Sequence, residues 1–80
     1  MDDFARTPKQ LGASLRRRRR ALGLSQAELG ERAGVRQATI STIESGGQSA
    51  RLSTLFDVMS ALQLEMIVRD RRKLSLEDVI

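Results

Sequence analysis

Residues 25–47 read SQAELGERAGVRQATISTIESGG, and no other stretch constrains the fold as much. Ser25-Gln26-Ala27-Glu28 has the form of a capping box, in which hydroxyl and carboxylate each satisfy a backbone N–H at a helix start. The helix it opens is short, with Leu29 and Ala33 facing inward, and Gly34 stops it. A second helix follows over about 36–45 and ends at Gly46-Gly47. Arg36 is a poor cap for its start. Gly34 gives the tight turn at Gly34-Val35 its backbone freedom. Gly30 falls where the two helices cross, and a Cβ there would push them apart. Leu29, Ala33, Val35, Ile40 and Ile43 seal the corner.

The remaining elements follow from similar signals. Thr7-Pro8-Lys9-Gln10 predicts a helix start, with Thr7 as cap, Pro8 in the first turn and Gln10 closing a capping box. Leu11, Leu15 and Leu22 form its apolar stripe, and Gly23 ends it. Ser53 is the expected cap of a last helix carrying Leu55, Val58, Met59 and Leu62. LEMIVRD (64–70) then alternates in the manner of a strand. A lone strand leaves its backbone groups unpaired. The same strand from a second copy would satisfy them about a twofold axis. A fifth short helix is the alternative for this segment. The expected organisation is a flexible N-terminus (1–6), a helical domain (7–64), a dimerisation strand (65–70) and a tail (71–80) that is a helical turn or mobile.

Eighty residues hold one domain with a small core, which makes a partner or a dimer plausible. The chain has neither Cys nor His, so zinc sites, thiol catalysis and Ser–His arrangements are excluded. The acid pairs Glu28/Glu31 and Glu77/Asp78 come with no activated nucleophile or metal ligand, so no enzyme, cofactor or metal is expected. No apolar run approaches the roughly 18–20 residues of a membrane span. The N-terminus lacks a hydrophobic signal core. The chain reads as soluble and cytoplasmic. Residues 6–51 carry ten bases against three acids (Glu28, Glu31 and Glu44), which points to a polyanionic partner. Phe4 and Phe56 are the only aromatics, too few for a single-strand stacking platform.

Gly30, the Gly34-Val35 turn and the five corner apolar residues resemble the helix-turn-helix of the phage-repressor (Xre-type) family over roughly residues 8–64. The resemblance implies a mainly α fold of four helices. It also implies that the helix from Arg36 to Ser45 lies in the DNA major groove. In that place Gln37 can present its amide to adenine N6 and N7, and Arg36 can reach guanine or a phosphate. Ala38 and Thr39 offer methyl groups to thymine. Ser41 and Thr42 are short enough for close approach and can bond a base edge or phosphate. A plain solvated polar face is the competing reading. The family uses a glutamine at the position of Gln26 to bond a phosphate and brace the first glutamine of the reading helix. It also pairs an arginine at the position of Arg19 with the glutamate at Glu44, a structural ion pair. Arg16, Arg17 and Arg20 read as solvated or near phosphate.

Within the family, RQATIS (36–41), LSTLFDVMSALQLEM and the strand after it are similar to the HipB-type antitoxins. These are dimeric DNA-binding partners of HipA-type serine/threonine kinase toxins. The resemblance implies a homodimer held by Met66, Ile67 and Val68, an inverted-repeat operator in double-stranded DNA, autorepression of an operon, and a kinase partner. The five-arginine run and the tail after Asp70 depart from the pattern. A stand-alone phage-type regulator without a toxin is the alternative. A module whose basic surface binds an acidic protein is a third reading.

Overall fold

Helix starts and stops organise the chain as the local chemistry dictates. The computed structural model describes residues 3–47 and 49–71. Its elements are α1 (Pro8–Ala21), α2 (Gln26–Ala33), α3 (Gln37–Glu44) and α4 (Leu52–Ala61). Thr7 Oγ1 accepts from the Gln10 backbone N–H at 3.1 Å, and Pro8 occupies the first helical position. The capping box there is shifted by one residue. Gln10 Oε1 accepts from the Arg6 backbone N–H at 2.7 Å and not from that of Thr7. Ser25 and Glu28 make the complete reciprocal box at α2.

Gly34 closes α2 in the left-handed region, with φ at +72°. Val35 N–H returns to Gly30 O at 2.9 Å, which tightens the turn into α3. A Cβ on Gly30 would stand 2.7 Å from Val35 O, so glycine is required by close backbone approach at this corner.

Leu15, Leu24, Leu29, Ile40, Ile43, Val58, Met59 and Leu62 form the core. α2 packs on α3 and α4, and α1 packs on α3. The α1–α3 crossing depends on Gly12, where a Cβ would come within 2.8 Å of Glu44 O. Two sequence-based expectations need correction. Leu22 is 40% exposed, because α1 ends at Ala21 and the turn at Gly23 delivers Leu24 to the core. Ser53 does not cap α4. The cap residue is Arg51, whose carbonyl accepts from Leu55 N–H at 3.1 Å, and no side chain caps the helix.

Gln63, with φ at +58°, ends α4. Residues 64–71 that follow are neither helix nor paired strand, so the fifth-helix alternative is not what the chain adopts. The expected strand over 65–70 is also absent from the single chain. A ladder needs two strands, and the described residues offer no partner for this segment. Ile67 and Val68 stand 71% and 92% exposed, and Met66 is also exposed. At the other end, Asp3 is paired with Arg17 at 2.6 Å, and Phe4 lies under the Arg69 guanidinium, 4.6 Å from ring centre. The tail beyond Arg71 lies outside the described residues, as do Met1, Asp2 and Gln48.

Candidate nucleic-acid interface

The α2–turn–α3 corner turns one face of α3 inward and the other out. Ile40, Ile43 and Glu44 are buried, while Gln37, Ala38, Ser41 and Thr42 are exposed and Thr39 is half-buried. The outer face carries no charge, so nothing on it repels a phosphate backbone. Arg36 is exposed immediately before α3, and no side chain caps the helix. Thr39 and Ile40 N–H donate to Arg36 O, which leaves the N–H groups of Gln37 and Ala38 open to an outside acceptor, at the helix end that favours negative charge.

Thr42 differs from its neighbours. Its hydroxyl donates to Ala38 O at 3.0 Å, so in this arrangement its oxygen is left to accept. Ser41 has no such commitment.

Arg36, Ala38 and Thr42 share one concave surface with Ser49, Arg51 and Thr54. The last three were not singled out by sequence. Arg51 entered only as one of ten positive charges, and its place beside α3 is set by the loop after Glu44. Two uncapped helix starts, α3 and α4, thus flank a surface bearing Arg36 and Arg51.

Behind this face Arg19 and Glu44 meet at depth. Arg19 Nε and Nη2 donate to Glu44 Oε2 and Oε1 at 2.6 and 2.9 Å, and Nη1 donates to Leu24 O at 2.8 Å. Burial pushes the Glu44 carboxyl up, but hydrogen bonds from Arg19 and Gln26 and the charges of Arg19 and Arg16 outweigh it. Its pKa lies below the ordinary glutamate value. The bond to Glu44 raises that of Arg19. Gln26 is half-buried, and its Nε2 donates to Glu44 Oε1 at 3.2 Å. The glutamine brace therefore runs to Glu44, not to Gln37.

The arginine run divides by direction. Arg18 Nε donates to Leu62 O at 3.0 Å and so ties α1 to the end of α4. Arg17 turns to Asp3, and its Nη2 also donates to Ser14 Oγ at 3.2 Å. Arg16 is exposed, close enough to Glu44 for its charge to be felt there.

Two short helices crossed over a sealed glycine turn, the second with an uncharged hydrogen-bonding outer face, define a helix-turn-helix protein. The chain belongs to the Helix-turn-helix family, whose model matches residues 15–68, and within it is a relative of the HipB antitoxins. It is 34% identical to Antitoxin HipB of Escherichia coli (strain K12) over 71 residues, covering 89% of this chain and 81% of that protein. The HipB chain of the HipA-HipB-O2-O3 complex superimposes with a TM-score of 0.81 at 31% identity, over 89% of this chain and 100% of that one. The HipB-O4 20mer complex gives the same figures. Among the described residues no helix is long and apolar enough to cross a membrane.

Proposed function

We propose that this chain is a sequence-specific repressor of double-stranded DNA. It acts as the cytoplasmic antitoxin of a HipA-type serine/threonine kinase toxin and represses its own operon. The observation that carries the DNA-binding part is the outer face of α3, where Gln37, Ala38 and Ser41 stand exposed and uncharged beside Arg36 and Arg51. A helix with that face enters the major groove with its N-terminal residues deepest. Gln37 reads a base edge, Ala38 and Thr39 meet thymine methyl groups, Ser41 and Thr42 bond base edge or phosphate, and Arg36 reaches guanine or phosphate. Gln26 bonds a phosphate at the start of α2.

The reading as an antitoxin is supported by the HipB relatives and by a HipB chain solved together with HipA. The homodimer is supported by the exposed apolar side chains of Met66, Ile67 and Val68 on a segment with no ladder partner among the described residues of its own chain. Residues 65–70 of two copies pair as strands, and 7–64 form the DNA-binding domain. Twofold symmetry then requires an inverted repeat.

The test has two arms. The full chain is incubated with random-sequence duplexes, and the bound fraction is sequenced. An inverted repeat with half-sites about one or two helical turns apart is the expected result. Recovery of unselected sequence would assign the basic surface to another polyanion. In the second arm the chain is co-expressed with the product of its neighbouring gene. Co-purification with a kinase is expected, and a neighbour unrelated to kinases would leave a stand-alone regulator.

A further inference from the structure

Residues 64–71 leave α4 through Gln63, and Leu64 N–H still returns to Met59 O at 2.8 Å. Beyond Leu64 the segment makes no backbone–backbone hydrogen bond with other described residues. What meets it is the opposite end of the chain. Phe4 lies under the Arg69 guanidinium, 4.6 Å from ring centre. The arm that carries Phe4 is itself tied to α1 on both sides of that ring. Asp3 Oδ2 accepts from Arg17 Nη2 at 2.6 Å, and the same nitrogen donates to Oγ of buried Ser14. Arg6 N–H donates to Gln10 Oε1 at 2.7 Å in the first turn of α1. Ala5 and Arg6 of the arm line one cleft together with Met66 and Ile67 of the segment and with Leu11 and Met59. A segment fixed at one end swings about that end, and a second tie sets its direction. Ile67 and Val68, between the two ties, stay exposed.

We infer that residues 3–6 are a strap that positions the dimerisation segment. Asp3 holds the strap to α1, Phe4 holds Arg69 to the strap, and residues 65–70 are presented to a second copy in one direction. The inference rests on the homodimer reading and deepens it. A protomer that is competent for only part of the time binds with an apparent affinity reduced by that fraction, and a homodimer counts the fraction twice. An exposed cation–π contact shifts such a population by at most about two- to fivefold. Losing it in both protomers should therefore weaken dimerisation by roughly 5- to 25-fold.

The test uses the full chain, labelled with a fluorophore at its C-terminus. Dimer dissociation constants are measured by sedimentation over a dilution series, and circular dichroism checks helix content. Phe4→Ala should raise the constant by that factor and leave helix content unchanged, because Phe4 is half-exposed and outside the core. Phe4→Trp, with the better ring for a cation, should dimerise at least as tightly as wild type. Arg69→Ala should also weaken the dimer. Its effect should be smaller in the Phe4→Ala background, by the same factor that Phe4→Ala costs alone, because both changes remove one contact. A dimeric wild type with an equally dimeric Phe4→Ala variant overturns the inference and leaves the homodimer reading intact. Equal effects of Arg69→Ala in both backgrounds also overturn it, since Phe4 would then act without Arg69. A wild type that is monomeric throughout the series overturns the homodimer reading and the strap together.

Discussion

Arg19 and Glu44 join α1 to α3 through a two-pronged ion pair, and both side chains are more than nine-tenths buried. Leu24 O and Gln26 Nε2 complete the pair, so among the described residues no buried side-chain nitrogen or oxygen lacks a partner. Removing one member leaves the other charge buried and unpaired. Glu44→Ala should therefore cost about 3–5 kcal/mol, much of the stability of a domain this size. Thermal or urea unfolding measures it. An unchanged midpoint would mean that Arg19 finds water at little cost.

The same pair sets an acid limit. The folded pKa of Glu44 is depressed, so its contribution is complete above the ordinary glutamate value of about 4.3. It is lost as the pH falls through the lower folded value. Asp3, bonded by Arg17, and Glu28, bonded by the Ser25 backbone, are also lowered and act in the same direction. Urea midpoints should fall between about pH 5 and 3. A Glu44→Gln variant should start lower and show a flatter profile. Parallel profiles for the two proteins would remove Glu44 as the source.

Gln37 and Arg51 should fail in different ways. Gln37→Ala should cost roughly 1–3 kcal/mol on the selected duplex and nearly nothing on random sequence, with relaxed preference at one base pair per half-site. Arg51→Ala should weaken both alike and make the salt slope shallower by about 0.9 per subunit. Arg17, already engaged by Asp3 and Ser14, should leave the slope unchanged when replaced by alanine. Equal losses on both duplexes for Gln37→Ala would mean that α3 is not the reader.

Ile67 tests the dimer. Ile67→Pro removes a backbone donor from the proposed intersubunit ladder. Sedimentation should show monomers, and affinity for the inverted repeat should fall because the second half-site loses its effective concentration. A variant that remains dimeric would place the interface elsewhere, with exposed Leu52 and Phe56 of α4 as the next surface to test.

Much of this protein was determined by signals that act within four residues along the chain. Thr7 and Ser25 cap their helices through bonds three residues away. The spacing of Leu29, Ile40 and Ile43 tells which sides of α2 and α3 face inward. Gly34 ends α2 because its backbone alone adopts φ at +72° without strain. The outward placement of Gln37, Ala38 and Ser41 follows from that spacing. Chemistry of this kind reads directly from residue order.

Only the tertiary structure decided among groups that are locally alike. Five consecutive arginines offer the same propensity and charge. A resemblance to known repressors, not their spacing, singled out Arg19. Their fates depend on partners far along the chain: Arg17 on Asp3, Arg18 on the carbonyl of Leu62, and Arg19 on Glu44. Gly12 looks like an unhelpful residue in a helix until α3 arrives against it. Arg51 shares a concave surface with Arg36 because the loop after α3 folds back beside Thr42. Helical periodicity records which face a residue shares with its near neighbours. The angle at which α1, α2 and α3 cross is set by how their apolar surfaces fill one small core, and that angle alone chooses which distant groups meet.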